Sequence, residues 1–302
     1  MNQKLIAACA ALAMAISFAG CSGNSSLETS RPTGSHNSST ATQSTTEGRQ
    51  EAPAFEHTVL VDNEDLHFSI TAITDDSIWG YTLKAQFENK TDKDLMFSLN
   101  NVSVNGYMCD PYFALTVTSG MKANKDISFS RDSFQEIGIQ AVTDIQFALC
   151  AYDSKDWSAD AIFEDTFSIY PLGKEAAKEY PRQDQDGDII LFDNEKCTMV
   201  VTGAETETVW GYKLNIYLVN KTQDELMFSL SDASMNGYMC DPYFATSVAP
   251  GKRSITSICW TKSALEENGI TAVESLILPI RVYDAGNWNK EDIVNQSFTI
   301  NP

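Results

Sequence analysis

The stretch IWGYTLKAQFEN, at residues 78–89, alternates apolar and polar side chains along its length. Successive side chains of a β-strand point to opposite faces, so this alternation predicts a strand with one buried face. Residues 209–220, VWGYKLNIYLVN, repeat the pattern. The face predicted to be buried carries Trp79, Tyr81, Leu83, Ala85 and Phe87 in the first stretch, and Trp210, Tyr212, Leu214, Ile216 and Leu218 in the second.

The two stretches belong to a long internal repeat with a constant shift of 131 residues. The same shift carries the segment NGYMCDPYFA at residues 105–114, hereafter the decapeptide, onto an identical copy at residues 236–245. The register does not slip within either copy. Each copy has the size of an ordinary domain, which predicts a first domain at 56–170, a linker at 171–187 and a second domain at 188–302.

Several shorter stretches of each copy show the same alternation, and turn-forming residues separate them, as in NKTDKD and SGMKANKD. About seven short strands per copy, with long helices absent, predict an all-β fold. The expected architecture is two tandem immunoglobulin-like antiparallel β-sandwiches, and a closed barrel is the alternative. Short helical turns are expected at SFQEIG and SALEENG, each ending at a glycine that suits a C-cap.

The first twenty residues have the features of an export signal. Lys4 precedes an apolar run that is too short to span a membrane, and small residues lead into Cys21. This arrangement predicts a lipoprotein signal peptide at 1–20, with Cys21 lipidated as the first residue of the mature chain. Cleavage by ordinary signal peptidase, which would leave Cys21 free, is the alternative.

Residues 21–55 are rich in serine and threonine and hold almost no large apolar side chains. Such a segment cannot bury enough surface to offset its ordering entropy, which predicts a flexible tether. Together with the lipid on Cys21, the tether predicts a protein anchored at the extracytoplasmic face of the cell membrane. A Gram-positive surface and an outer membrane would both suit these residues.

The chain is strongly acidic, with a net charge of −20. Acidic surfaces repel phosphate groups, so this charge argues against nucleic acid or anionic lipid as the partner of the folded part. The expected partners are the membrane, through the lipid anchor, and a cell-surface protein or a glycan.

The ordered string NKTDKDLMFSL, VNGYMCDPYF, GMKANKDISFS, VTDI and YDSKDW resembles the uncharacterised immunoglobulin-like domains of Gram-positive bacterial lipoproteins. The resemblance covers nearly all of both copies. It implies an immunoglobulin-like fold and a location at the cell surface, and it brings no catalytic residue with it. The Cys…Trp…Cys arrangement of antibody domains is missing from the sequence.

The decapeptide holds a cysteine and an acid, which raises the question of a duplicated active site. A nucleophilic cysteine needs a general base, usually histidine, to form its thiolate. The chain has three histidines, His36, His57 and His67, and none of them lies in the second copy. Since that copy keeps the decapeptide intact, the sequence predicts a protein that is not an enzyme and has no catalytic residue.

Several residues of the decapeptide have a structural interpretation. Asn105 and Gly106 suit a hairpin turn. Tyr107 and Phe113 suit inward packing, and Cys109 suits a small buried position. The two copies are nevertheless identical where their flanking strands differ, which predicts a contact surface as well. Its candidate residues are Asp110, Tyr112, Asp241 and Tyr243.

Cysteines give no framework that both copies share. Five of them, an odd number, follow Cys21, so they cannot all pair within one chain. A Cys197–Cys240 disulfide remains an option, because Cys197 follows a core-facing pattern.

One acidic stretch matches part of a metal-binding template. DQDGDIILFDNE places Asp184, Asp186, Asp188 and Glu195 at ligand positions of a calcium loop, but Ile189 stands where the template needs glycine. The preferred interpretation is a solvated acidic linker, with no metal and no cofactor apart from the covalent lipid. Calcium is the alternative.

The tryptophans raise the alternative of carbohydrate binding. Trp157 and Trp288 lie in polar loops and are candidate platforms for a sugar ring, whereas Trp79 and Trp210 are expected in the core. The expected function is a lipid-anchored, surface-exposed, non-enzymatic binding or structural module. A lipoprotein that binds carbohydrate or cell-wall polymer is the alternative.

Overall fold

The computed structural model describes residues 55–156, 158–178, 180–209, 211–287 and 289–302. The described residues form one compact unit. The predicted signal peptide, the lipidation site Cys21, the tether up to residue 54, and the three residues Trp157, Trp210 and Trp288 lie outside the described residues. The first repeat below means residues 56–170 and the second repeat means residues 188–302; the division into two domains at these bounds stays a prediction.

The first repeat consists almost entirely of β-strands. Its described elements are β1 (Thr58–Asp62), β2 (Leu66–Ser77), β3 (Gly80–Asn89), β4 (Leu95–Val104), β5 (Tyr107–Met108), β6 (Leu115–Val117), β7 (Lys122–Phe129), α1 (Arg131–Ile137), β8 (Ile145–Asp153) and β9 (Phe163–Ile169). A short 3₁₀ helix at Lys174–Ala176 lies in the segment that joins the repeats.

The second repeat follows the same order of elements. They are β10 (Ile189–Asp193), β11 (Cys197–Thr208), β12 (Gly211–Asn220), β13 (Leu226–Leu230), β14 (Ser234–Met235), β15 (Tyr238–Met239), β16 (Ala245–Val248), β17 (Arg253–Thr261), α2 (Lys262–Glu267), β18 (Leu276–Asp284) and β19 (Val294–Ile300).

The strand order is that of an immunoglobulin-like sandwich. In the first repeat β2, β3 and β7 are neighbours in one sheet, while β4, β8 and β9 are neighbours in another. The chain crosses between the sheets after β3, after β6 and again after β7, as the immunoglobulin topology requires. In the second repeat β11, β12 and β17 are neighbours in one sheet, and β13, β18 and β19 belong to the other, six-stranded sheet. The predicted all-β, antiparallel, immunoglobulin-like fold is confirmed, and the barrel alternative is wrong.

Each repeat has a hydrophobic core of its own, built from the inward faces of its strands. In the first repeat Phe87 of β3 meets Phe97 of β4 across the sandwich, with ring centroids 5.2 Å apart. In the second repeat the largest fully buried side chain is Trp260 on β17, whose indole nitrogen donates to the Cys240 carbonyl at 2.7 Å. The repeats therefore bury comparable cores with different side chains.

A buried asparagine explains the NKT motif that both repeats contain. Asn89 is fully buried at the end of β3, and its side-chain nitrogen donates to the carbonyls of Lys93 and Val117 at 2.7 and 2.8 Å. Its side-chain oxygen accepts from the amide of Thr91 at 3.0 Å. Asn220 makes the matching contacts in the second repeat. These contacts satisfy both ends of the buried amide, which favours asparagine at this position because an unpaired buried amide is costly.

The structure corrects the prediction that Trp79 lies in the core. β3 begins one residue later, at Gly80, and the Trp79 side chain is 63% exposed at the turn between β2 and β3. The inward alternation does hold from Tyr81 onward, since Leu83 and Phe87 are fully buried. The pattern could not show where the strand begins.

Glycine is required after each tryptophan because neighbouring strands approach closely there. A β-carbon at Gly80 would collide with the Phe129 carbonyl, and one at Gly211 would collide with the Trp260 carbonyl. Both glycines also have positive φ, at 93° and 128°. These constraints account for the repeated glycine of the WGY motif.

The two predicted helical turns are present. α1 begins after the N-cap Ser130 and ends at Gly138, whose φ of 81° is left-handed as expected for a C-cap glycine. α2 ends at Asn268 instead of the predicted glycine, and Gly269 follows with a φ of 65°. Among the described residues, no helix is long and apolar enough to span a membrane.

Substitution of the second WGY glycine should be costly. We expect Gly211→Ala to lower the free energy of unfolding by about 2–4 kcal/mol, because the added methyl meets backbone atoms of β17 and the φ is unfavourable for alanine. Urea denaturation followed by circular dichroism measures the change.

Gly120→Ala is the matched control, since Gly120 has a φ of 69° but open space where a β-carbon would be. We expect that change to cost only about 1 kcal/mol, the conformational cost alone. Equal costs for both variants would contradict the close approach of β12 and β17.

Candidate functional site

Both copies of the decapeptide begin with the same two-residue hairpin turn. Asn105 and Gly106 have φ of 51° and 81°, and Asn236 and Gly237 have φ of 52° and 84°. Positive φ at both central residues characterises the turn favoured by an Asn-Gly pair between right-twisted strands. The predicted hairpin turn is therefore confirmed in both repeats.

The asparagine side chain fastens this turn to the loop before β8 or β18. Asn105 donates to the Ala141 carbonyl at 2.7 Å and accepts from the Thr143 amide at 2.9 Å. Asn236 donates to the Ala272 carbonyl at 2.6 Å and accepts from the Glu274 amide at 2.8 Å. The opening Asn-Gly of each copy is thus explained by the fold.

The decapeptide cysteines are part of the core. Cys109 and Cys240 are 5% and 4% exposed. Burial raises the pKa of the Cys109 thiol to about 12, and the nearby Asp110 carboxylate acts in the same direction. Burial likewise raises the pKa of Cys240. A thiol in this state is protonated at neutral pH and is a poor nucleophile.

The cysteines of the described residues are free thiols, namely Cys109, Cys150, Cys197, Cys240 and Cys259. The Cys197–Cys240 disulfide that the sequence left open is therefore wrong. Both of these side chains belong to the core of the second repeat, where they serve as small apolar groups.

The candidate contact residues lie at the surface near the end of each decapeptide. Tyr112 and Tyr243 are 65% and 76% exposed. The Tyr112 amide donates to the Ser128 carbonyl at 2.7 Å, which fixes the tyrosine backbone against β7. Asp110 and Asp241 are also exposed.

The two aspartates do not have equivalent contacts. The Asp241 carboxylate accepts from the Ala233 amide at 2.8 Å and so stabilises its own loop. Asp110 lies beside Met108 and Ala245 in a cleft of about 440 Å³ between the repeats.

Tyr112 borders a groove of about 900 Å³ at one end of the first repeat. Ile78 and Trp79, which are 91% and 63% exposed, lie on the same groove. Among its polar lining residues are Asn124, Lys125, Asp126, Arg131 and Asp132. The Lys84 ammonium contacts the Asp126 carboxylate at 2.6 Å, and the Arg131 guanidinium donates to the Asp75 carbonyl. The groove therefore combines exposed apolar rings with fixed charges.

A groove beside Tyr243 in the second repeat has different chemistry. It measures about 410 Å³ and is lined by Tyr243, Phe244, Thr256 and Ser257 among others. Threonine and serine stand where the first repeat has Lys125 and Asp126, so the two tyrosines are in different electrostatic surroundings. The predicted platforms Trp157 and Trp288 lie outside the described residues, and their role stays a prediction.

The decapeptide of the first repeat also joins the two repeats. Tyr107 is only 3% exposed, but its ring packs against Val200 and Tyr217 of the second repeat instead of its own core. The Arg253 amide donates to the Gly106 carbonyl at 2.9 Å, so β5 and β17 pair in parallel. This corrects the expectation that Tyr107 packs inward, and it creates a sheet that runs through both repeats.

Polar contacts surround this junction. The Tyr107 hydroxyl donates to the Tyr180 carbonyl at 2.7 Å, and the Asn101 amide donates to the Glu225 carboxylate at 3.1 Å. The Lys252 ammonium donates to Gln146. The sequence does not predict these contacts. The shift of 131 residues identifies equivalent positions in the two repeats, but it gives no information about which surfaces of the repeats are in contact.

The four acids of the calcium template are not gathered around one point. Arg182 holds the Asp188 carboxylate with two hydrogen bonds of 2.6 and 2.8 Å, which lowers the pKa of Asp188. Ile189 begins β10, and Glu195 lies beyond that strand. Within the described ranges, no three His, Cys, Asp or Glu side chains group together as metal ligands.

The buried state of Cys109 predicts slow alkylation. At pH 8 a thiol with a pKa of about 12 is ionised in only about one molecule in 10⁴, against about one in ten for a free cysteine. We expect iodoacetamide to modify native Cys109 at least about 100-fold more slowly than the same residue in the denatured chain. Peptide mass spectrometry measures both rates. Equal rates at a temperature where the chain stays folded would show that Cys109 is accessible and ionised.

No protein-family model matches the chain, and no curated protein matches it. Among solved structures, the YadV chaperone aligns with 73% of this chain and 92% of its own, at a TM-score of 0.22 and 10% identity. The CsuC-CsuE chaperone-tip adhesion subunit pre-assembly complex of Acinetobacter baumannii Csu pili aligns with 72% of this chain and 90% of the matched chain, at a TM-score of 0.20 and 11% identity. Likenesses this low do not bear on what the chain does.

Proposed function

We propose that this protein is a lipid-anchored binding module of the cell envelope that catalyses no reaction itself. The observation that carries the binding proposal is the groove at the end of the first repeat, where Ile78, Trp79 and Tyr112 are exposed together. Large apolar side chains grouped at a surface commonly mark interaction sites. The apolar run before Cys21 and the tether after it support the anchor.

The side chains near the decapeptide support a non-catalytic role. Cys109 is buried and protonated, so it cannot act as an attacking thiolate. The His67 ring contacts the Ser69 hydroxyl at 3.1 Å and the Asp62 carboxylate at 3.5 Å, within its own sheet. A nucleophile with an adjacent base is the minimum that covalent catalysis needs.

A glycan or cell-wall polymer is the ligand class that the groove favours. Sugar rings present apolar C–H faces that stack on aromatic side chains, and their hydroxyls need hydrogen-bonding partners at the rim. The groove offers Trp79 and Tyr112 for stacking. Asn124, Asp126 and Asp132 offer oxygen and nitrogen atoms on the same surface. This combination distinguishes it from the smaller groove beside Tyr243, whose described lining residues are uncharged.

The anchor can be tested by removing the proposed lipid attachment site. We expect Cys21→Ser to move the protein from the membrane fraction to the soluble fraction, because one residue carries the lipid. Fractionation followed by a sodium carbonate wash and immunoblotting measures the distribution. Cys150→Ser is the control, since that cysteine lies in β8 and should leave the protein on the membrane. Retention of Cys21→Ser in the washed membrane would contradict the anchor.

Glycan binding can be tested on the groove itself. We expect Trp79→Ala combined with Tyr112→Ala to weaken binding of soluble peptidoglycan fragments at least about tenfold, because each stacked ring contributes about 1 kcal/mol. Isothermal titration calorimetry measures the affinity, after a glycan array has identified the best fragment.

Tyr243→Ala is the matched control, because that tyrosine has the same sequence context but lies on the uncharged groove. Loss of binding in the control alone would assign the ligand to the second repeat. Unchanged binding in the double variant would exclude the first-repeat groove as the glycan site.

A further inference from the structure

We infer that the surface formed by Tyr238, Met239 and Ile277, hereafter the second-repeat edge, docks an immunoglobulin-like domain of another protein. The inference goes beyond the proposed glycan groove and does not depend on it. It rests on a comparison that the molecule itself provides, because the first repeat shows the same residues with their surface covered.

The same two side chains have opposite surroundings in the two repeats. Tyr107 is 3% exposed and Met108 is half-buried against the core of the second repeat. Tyr238 and Met239, which correspond to them, are 53% and 64% exposed. The second copy therefore exposes a large apolar area at the same two residue types that the first copy buries.

The local fold does not cause this difference. Tyr107 and Met108 pair with the strand before them in the same register that Tyr238 and Met239 adopt. The preceding turns have the same backbone angles within a few degrees. Tyr107 and Met108 are therefore covered because the second repeat docks onto the first. Among the described residues, no segment covers Tyr238 and Met239 in the same way.

The second-repeat edge is also more apolar than its counterpart. Met239, Ser234 and Ile277 are cross-strand neighbours on β15, β14 and β18, and Ile277 is 41% exposed. The residue that corresponds to Ile277 is Gln146, which hydrogen-bonds Lys252 across the junction. Replacement of a junction amide by isoleucine leaves two exposed apolar side chains, Met239 and Ile277, on either side of Ser234, and protein partners commonly cover such side chains.

The contacts that cover Tyr107 in the first repeat indicate which chemical groups a partner for the second-repeat edge needs. The sheet that covers Tyr107 presents Val200, Tyr217, Val219 and Ile255, and the Arg253 strand amide donates to the Gly106 carbonyl. The Tyr107 hydroxyl in addition reaches a backbone carbonyl. A partner for the second-repeat edge thus needs an aliphatic and tyrosine-bearing sheet face, an amide donor for Gly237 and a carbonyl for Tyr238.

A second copy of this chain does not supply such a face. Its own second repeat is already covered by its own first repeat. The corresponding face of the first repeat carries Gln86, Glu88 and Asn124, and Glu88 is paired with Lys122 at 3.0 Å. These polar groups would have to be stripped of water to bury Tyr238, which is unfavourable. The occupant is therefore an immunoglobulin-like domain of a different protein.

The inference can be tested by giving the chain the missing face. The graft Gln86→Tyr, Glu88→Val and Asn124→Ile transfers three of the four apolar residues of that face, Tyr217, Val219 and Ile255, onto the first repeat. The full chain carrying Cys21→Ser is used so that no lipid drives association. A chain with one docking face at each end should assemble head to tail.

Sedimentation velocity at protein concentrations of about 1–100 µM measures that assembly. This range matches the affinity expected of a small interface with an aromatic anchor residue. We expect the graft to form concentration-dependent oligomers while the ungrafted chain remains a monomer. Adding Tyr238→Ala and Met239→Ala to the graft should return it to a monomer. A folded graft that remains monomeric, or one that assembles without Tyr238 and Met239, would overturn the inference.

Self-association of the ungrafted chain that is lost with Tyr238→Ala and Met239→Ala would also overturn it, since the occupant would then be a second copy. Circular dichroism reports whether each variant is folded.

A second arm avoids the graft in case its strands do not fold. Tyr107→Ala with Met108→Ala uncovers the native face on the second repeat. We expect this undocked variant to bind a fluorescently labelled chain of otherwise unaltered sequence, through the second-repeat edge of the labelled chain. The affinity should fall at least about tenfold when the labelled chain carries Tyr238→Ala and Met239→Ala. Equal affinity for the two chains, or no binding by a folded undocked variant, would overturn the inference.

Discussion

Burial of Tyr107 between the repeats is the contact on which the arrangement of the folded part depends. Its ring lies against Val200 and Tyr217, and the adjacent Gly106 carbonyl accepts the Arg253 amide. One side chain therefore fills a small apolar cluster while its backbone continues a sheet from one repeat into the next. Without that contact, two sandwiches with separate cores would be joined by the linker, by the half-buried Met108 and by peripheral polar contacts. The covalent order of the chain permits this arrangement but does not impose it.

The junction also explains why identical segments serve unequal roles. In both copies of the decapeptide, asparagine and glycine form the turn, and cysteine fills the core. These residues are fixed by the fold. The tyrosine and methionine that follow the turn are not fixed in this way, since Tyr238 and Met239 are exposed in the second copy and the hairpin still forms. Duplication has thus produced one copy that is used inside the molecule and one that faces outward. The exposed copy and the charged groove beside Tyr112 lie on different elements, so a glycan and a protein partner would not compete for the same residues.

Much of the fold could be predicted because strand alternation and turn residues are local signals. Leu83 and Phe87 are buried as the period of two requires, and the Asn-Gly pair forms the expected turn. Alternation carries no information about where a strand begins. It therefore wrongly predicts Trp79 in the core, whereas β3 begins one residue later, at Gly80. The candidate tyrosines Tyr112 and Tyr243 are exposed, but the groove beside Tyr112 draws residues from three distant parts of the chain. No spacing within the sequence brings those parts together.

The sequence by itself determined the class of fold, the duplication, the turn chemistry and the lack of a histidine partner for the second cysteine, because each depends on residues that are near each other or can be counted. Only the tertiary structure decided which of two identical surfaces is covered. That outcome depends on Val200, Tyr217 and Ile255, more than 90 residues away from Tyr107 along the chain. Burial is a property of what a side chain meets in space, and two identical segments meet different neighbours as soon as one sandwich docks on the other.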